Sequence, residues 1–294
     1  MKEGVNMIIK MFNGWYFFWI FISIATYIGL YFLLRNKKLK TQKITLFSLL
    51  IFALALHFLK CLFPPYSNNI NILYREIWFI NICGANIFLF VFIYISKSST
   101  WKDYMFYLGI LGGALALLYP IEPIEKDNQV AEFLDIIRFY IHHILLWVIP
   151  LLMVHLGHHK LSYKNVWKVP GCLLLVFLFI ILNQIFQSEL GFTGLRNNDF
   201  LNINYKNTSY IWEPKDDFIS KALASLCPKF FKTVPVGEFA GEPKYWPWFW
   251  LIIPSHIIFI PICFLMSLIF DFKSFKEDMK KLFNRIKTIL CHSH

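Results

Sequence analysis

This chain is short of charge. Asp, Glu, Lys and Arg make up 16% of its 294 residues, and only 18 of those side chains are acidic. A soluble domain carries about 25% charged residues, so an ordinary water-facing surface is excluded. The six cysteines include no CxxC pair, which excludes a zinc ribbon and a thioredoxin-type redox motif. No internal repeat or low-complexity segment is present, which excludes solenoids and argues against a transporter built from paired repeats. The opening "MKEGVNMIIKMFNGWYFF" has no small-residue cleavage site after its first apolar run, so that run reads as a retained span rather than a signal peptide.

Apolar side chains fill the space. Hydrophobic residues are 57% of the chain and aromatics 19%, with 32 Phe and a mean hydropathy of +0.52. Seven runs approach the ~20 residues that a spanning helix needs. They are Trp15–Leu34, Ile44–Phe63, Ile77–Ser96, Tyr104–Ile121, Ile136–Gly157, Val169–Ser188 and Pro247–Phe270. The expected fold is an all-α polytopic membrane bundle of about seven transmembrane helices. Residues 1–270 form one domain, with a long outer loop at 189–246. Residues 271–294 form a tail in which Phe272, Phe275, Met279, Leu282, Phe283, Ile286 and Leu290 follow helical spacing between lysines. That pattern predicts a basic amphipathic helix on an anionic membrane face.

The net charge of +11 raises the question of nucleic acid. The basic residues instead fall in short connections between apolar runs, so a nucleic-acid partner is not expected. Arg35, Lys37, Lys38, Lys40 and Lys43 occupy the first connection, Lys97 and Lys102 the third, and Lys160, Lys164 and Lys168 the fifth. The tail adds Lys273, Lys276, Lys280, Lys281, Arg285 and Lys287. The opposite side holds Lys2, Lys10, Arg75 and Lys126. The positive-inside rule then places the N-terminus outside and the C-terminus in the cytoplasm.

Counting depth from the outer ends of the runs gives a polar layer. His57 and Lys60, Asn81, Cys83 and Asn86, His142 and His143, Asn183 and Gln187, and His256 come from five runs. Most lie roughly 5–14 Å below the outer boundary at about 1.5 Å per residue, with Arg75 and Arg138 around the top. Ionisable groups in a membrane normally face the bundle interior or a wet cavity, so a shared depth predicts one cavity. The alternative is a set of separate interhelical hydrogen bonds.

The chemistry of that layer is specific. A thiol becomes a nucleophile when a neighbouring imidazole takes its proton. Cys83 with a histidine on another helix is the minimum for acyl transfer. Asn81, Asn86 and Asn183 are amides able to stabilise an oxyanion, and Lys60, Arg75 and Arg138 are candidates for a lipid phosphate. A lone buried cysteine is also an ordinary small core residue.

Several pieces in order match one family: "NICGAN", "LLYPIEP", "RFYIHHILLWVIPLL", "LNQIF", "NNDFLNINYKNTSYIWEP" and "WPWFW". On these the chain resembles the YwaF-like integral membrane proteins of bacteria. Those share their domain with a eukaryotic membrane acyltransferase that remodels ether phospholipids. The resemblance implies a Cys-His dyad. Asn81 and Cys83 stand at the Asn and Cys of an Asn-Pro-Cys-His motif. His143 stands at the catalytic histidine, and His142 at the Gln before it. Ile82 replaces the Pro and Gly84 the following His. The more distantly similar androgen-dependent membrane hydrolases use Thr at the cysteine position. The implied activity is lipid acyl transfer or ester hydrolysis, on a phospholipid or lyso-lipid substrate, in a bacterial cytoplasmic membrane. The competing expectation is a transporter or substrate-binding protein using the same cavity.

Other features carry less. "HLGHH" (His155, His158, His159) has the spacing of one desaturase-type box, but a di-iron enzyme needs about three. No metal or cofactor is expected. Cys61 and Cys227 are both placed outside, which permits a disulfide. "NNDFLNINYKN" is a candidate lid, and "PKYWPWFW" a candidate interfacial belt whose exposed Trp cluster could admit lipid.

Overall fold

The computed structural model describes residues 8–62, 66–68, 77–120, 130–191, 209–216, 218–238 and 240–292. Eight α-helices appear among these residues: α1 Gly14–Leu34, α2 Leu39–Leu59, α3 Ile82–Ile95, α4 Ser99–Leu118, α5 Val130–His155, α6 Val169–Glu189, α7 Phe218–Leu226 and α8 Ile252–His292. The only β pairing among them is one isolated bridge, Thr233 to Pro243. The expected all-helical class holds.

Local chemistry fixes the helix ends. Asn13 accepts a hydrogen bond from the Tyr16 N–H and starts α1. Gln42 on α2 donates to the Leu34 carbonyl at 3.0 Å and ties the end of α1 to its neighbour. Ser98 caps α4. At the end of α5, Gly157 takes φ +76°, and the His158 N–H turns back to the Met153 carbonyl at 2.9 Å. Glycine reaches that left-handed conformation without steric cost. Pro170 occupies the first turn of α6, where no helical N–H is needed.

Among the described residues five helices are long and apolar enough to cross a membrane: Gly14–Leu34, Leu39–Leu62, Leu134–His155, Tyr163–Glu189 and Phe249–Ile289. The third and fourth expected runs differ. Helix α3 has 14 residues, about 21 Å, short of the ~30 Å hydrocarbon core. Helix α4 has 20 residues but carries Lys102 and Asp103 near its start.

Helix α5 is central. Some 72% of its apolar stretch is buried in the bundle, against 17% for α1. It packs closely on α4 because two glycines remove the side chains between them. A Cβ on Gly109 would lie 2.6 Å from the Leu146 carbonyl oxygen, and one on Gly113 2.8 Å from the His143 oxygen. Pro150 has no N–H to give the Leu146 carbonyl, and Gly109 sits beside that lost helical bond. Outward faces are apolar: Phe17, Phe21 and Phe32 of α1, Phe52 of α2, and Leu265 and Ile269 of α8 are exposed. Water would not tolerate such a surface, whereas lipid does.

Helix α8 bends at Asp271, whose φ and ψ of −126° and 22° are not helical. The expected tail helix follows this bend. Its Phe272, Met279, Phe283 and Ile286 are exposed among lysines. Asp271 accepts from the Tyr163 N–H at 3.3 Å, and Asp278 takes both the Tyr163 hydroxyl at 2.8 Å and the Lys164 ammonium.

Candidate functional site

The stretch "WFINICGA" is apolar enough to continue a helix, yet α3 starts only at Ile82. Asn81 stops it by adopting an extended conformation and accepting the Gly84 N–H at 2.7 Å. An N-cap asparagine satisfies one of the donors a helix start leaves open. The expected third run therefore begins five residues late, and Cys83 sits in the first turn of α3 rather than deep within a span. Its side chain is half-buried and forms no disulfide.

The chain entering α3 has backbone groups outside the helical bonding pattern, and the first turn of α3 adds an open N–H and an exposed carbonyl face. Side chains from four other elements take them up. His57 of α2 bonds the Ile77 carbonyl through Nε2 at 3.0 Å. Gln184 of α6 donates to the Ile80 carbonyl at 3.4 Å. Ser209 of the outer segment accepts the Ile82 N–H at 2.9 Å. His142 of α5 reaches the Cys83 carbonyl through Nε2 at 3.4 Å. Non-helical backbone inside a membrane protein persists only where protein or water satisfies it. Of the expected polar layer, His57 and His142 meet the backbone at Ile77 and Cys83, on either side of Asn81.

Three histidines pack in a row here. The rings of His57 and His142 are 6.3 Å apart, and those of His142 and His143 5.3 Å apart. All three are buried. His57 stacks on Phe79 at 5.1 Å, and a Cβ on Gly84 would come within 3.3 Å of the His57 ring. Gly84 thus gives His57 its place against the helix start. His143 Nδ1 is 2.7 Å from the Phe139 carbonyl, which only accepts. The proton therefore sits on Nδ1, and Nε2 is the basic atom of the neutral ring. The same argument puts the His57 proton on Nε2. The buried Nδ1 of His142 has no hydrogen-bond partner.

The amides divide into different roles. Asn86 accepts the Tyr104 hydroxyl at 2.6 Å and joins α3 to α4. Asn81 spends its oxygen on the cap, leaving its NH₂ as a donor. The Asn183 NH₂ and both amide atoms of Gln187 are buried without a hydrogen-bond partner. His256 bonds the Ile252 carbonyl of its own helix at 2.8 Å. Arg75 and the candidate lid lie outside the described residues.

One turn above His57 and His142 stand Lys60 and Arg138. They line a cavity of about 250 Å³ with Leu56, Tyr66, Asp135 and Ile141. Lys60 is buried, with its ammonium 5.3 Å from the Tyr66 ring centre, rather than extended to the surface. Asp135 holds the Arg138 guanidinium at 2.6 Å and the Tyr66 hydroxyl at 3.1 Å.

Two residues escaped the sequence reading. Gln184 neighbours Asn183 but points about 100° away, which a single sequence does not orient. Ser209 lies in a loop. The Trp cluster also differs from expectation. Trp250 is fully buried and donates to the Ile211 carbonyl at 3.2 Å, while Trp248 donates to the Leu174 carbonyl at 2.8 Å. Trp212 donates to Gln184 at 2.8 Å. Leu174 and Gln184 are separated by about 15 Å along α6 at the helical rise. The outer segment and the start of α8 therefore pack down α6 instead of forming an exposed belt, because their indole N–H groups find carbonyl and amide partners there.

The "HLGHH" histidines separate. His155 meets the Tyr27 hydroxyl at 2.7 Å, His158 lies between Gln42 at 2.8 Å and Tyr94 at 3.3 Å, and His159 pairs with Asp103 at 2.7 Å. They tie the end of α5 to α1, α2, α3 and α4. Among the described residues no group of three or more His, Cys, Asp or Glu could hold a metal ion. Cys61 and Cys227 are both free thiols.

A helical bundle with apolar outer faces and a buried polar cluster is an integral membrane protein. Residues 9–267 match the TMEM164 family, and the chain belongs to it. No curated protein and no solved structure matches the chain.

Proposed function

We propose that the chain is a membrane-embedded lipid acyltransferase or lipid ester hydrolase that works through Cys83 and His143. The observation that carries this reading is the capped start of α3. It sets half-buried Cys83 in a first helical turn, with His142 of the buried histidine row 3.4 Å from its backbone carbonyl. The helix start offers the positive end of a dipole to developing negative charge. The resemblance to the ether-lipid acyltransferase adds the assignment of the dyad.

In the proposed reaction His143 Nε2 takes the Cys83 proton as sulfur attacks the ester carbonyl carbon of a phospholipid. The oxyanion is held by the NH₂ groups of Asn81 and Asn183. The ester C–O bond breaks, the imidazolium protonates the leaving alkoxide, and a lyso-lipid departs. The thioester then passes its acyl group to a lyso-lipid hydroxyl or water, whose proton returns through His143 to sulfur. His142 positions the Cys83 backbone. Lys60 and Arg138, in the cavity one turn above, receive the headgroup phosphate. Seven crossings, an outer N-terminus, a cytoplasmic tail and residence in a bacterial cytoplasmic membrane complete the proposal.

The test is turnover of labelled phospholipid and lyso-phospholipid by purified protein. Cys83→Ser and His143→Ala should each lose on the order of 10³-fold in rate while the protein stays folded. Wild-type turnover by Cys83→Ala would exclude the covalent route. Thiol labelling at Cys83 that ignores His143 would favour the substrate-binding alternative.

A further inference from the structure

The lysine-rich end of the bundle holds a larger cavity that the proposed chemistry does not use. It has a volume of about 620 Å³, between the start of α2, the end of α3 and the start of α4. Lys43, Lys97 and Lys102 line it, together with Ser96 and His158. Its remaining walls are Ile44, Phe47, Tyr94, Ile95 and Met153. No carboxylate lines it, and none of the three lysines has an ion-pair partner among the described residues.

Three unpaired cations around one cavity repel one another. Burial, and then the neighbouring Lys43 charge, lower the pKa of Lys102. Burial, then Lys43 and Lys102, lower that of His158. An anion between them would remove this repulsion. The start of α4 adds a helix N-terminus on the same side, with Ser98 as its cap. His158 is fixed in place by Gln42 and Tyr94, so the wall is built rather than loose.

We propose that this cavity binds a phosphate group, with the apolar walls seating the acyl chain of an anionic phospholipid. A phosphate takes up the three lysines, and Ile44, Phe47 and Met153 offer nothing to a fully hydrated ion. A soluble phosphate ester is the other source of the same chemistry. The site is independent of Cys83 and serves to hold the lysine-rich end of α2, α3 and α4 together.

The experiment uses the full chain purified in a neutral detergent. It is titrated separately with phosphatidylglycerol, phosphatidylcholine and glycerol phosphate. Retained lipid is read by native mass spectrometry and stability by thermal melting. Phosphatidylglycerol should stay bound and raise the melting temperature, while phosphatidylcholine should not. The triple variant Lys43→Gln, Lys97→Gln, Lys102→Gln should lose at least tenfold in phosphatidylglycerol occupancy. The triple Lys→Arg variant should keep it, and Lys37→Gln with Lys38→Gln should leave it unchanged. Glycerol phosphate giving the same lysine-dependent shift would support the phosphate site and assign it to a soluble ester. Equal phosphatidylglycerol retention by the Gln triple and the wild type would overturn the proposal.

Discussion

Asn81 is the residue on which the local geometry turns. Its side chain ends the non-helical entry and begins α3 two residues before Cys83. Asn81→Ala should cost about 1 kcal/mol, the usual value of a lost N-cap. Asn81→Ser and Asn81→Asp keep an oxygen for the Gly84 N–H and should recover most of that loss, read as melting temperature. His142→Ala removes the contact to the Cys83 carbonyl. It should lower the turnover rate by roughly 10- to 100-fold with little change in substrate affinity, since the proposed role is positioning. Among these side chains, depth counting gives His57, His142 and His143 a common height, while Cys83 is singled out by the resemblance and sits at a helix start that depth counting does not anticipate. Gln184 and Ser209 were not legible, because depth counting gives height and not rotation. The apolar run gave no reason to stop a helix at Asn81. That stop is made by the cap and by side chains from α2, α5 and α6, which only the folded chain brings near.

At the scale of elements, α4 and α5 meet through two glycines. Gly109→Ala and Gly113→Ala each put a methyl within 2.8 Å of a backbone oxygen. Each should cost about 1–3 kcal/mol, the range for overpacking a core. Gly112→Ala, with open space around it, should be neutral within about 0.5 kcal/mol. Denaturant or thermal unfolding of the three variants separates close approach from mere helix composition. The tail helix is tied differently. Hydrogen bonds from Lys164 and then Tyr163 hold the Asp278 carboxyl below its ordinary range. A depressed carboxyl stabilises the tie above its unfolded value and loses that contribution as pH falls through the lowered folded value. The same bond to Asp278 raises Lys164, so its contribution is lost only as pH rises through that raised value. The tail should therefore stay docked at neutral pH. A fluorescence label on the tail should report release on acidification below the usual carboxylate range, and Asp278→Asn should remove that transition.

At the scale of the whole molecule, membership of the TMEM164 family and the apolar outer faces agree on a membrane bundle. Class was legible because the apolar runs are long and lipid admits little else. The placement of the Trp segment was not. "WPWFW" has the composition of an interfacial belt, but Trp248 and Trp250 find their partners on α6 and in the outer segment. Composition reports what a segment can do at an interface, and tertiary hydrogen bonds decide where it rests. The central claim joins these scales: a folded bundle presents one thiol for acyl chemistry. The most direct measurement is the intact mass and peptide map of the purified protein after incubation with a phospholipid donor. The account predicts a hydroxylamine-labile acyl adduct on Cys83 that is absent from Cys83→Ala. An adduct on another residue, or undiminished turnover by Cys83→Ala, would contradict it.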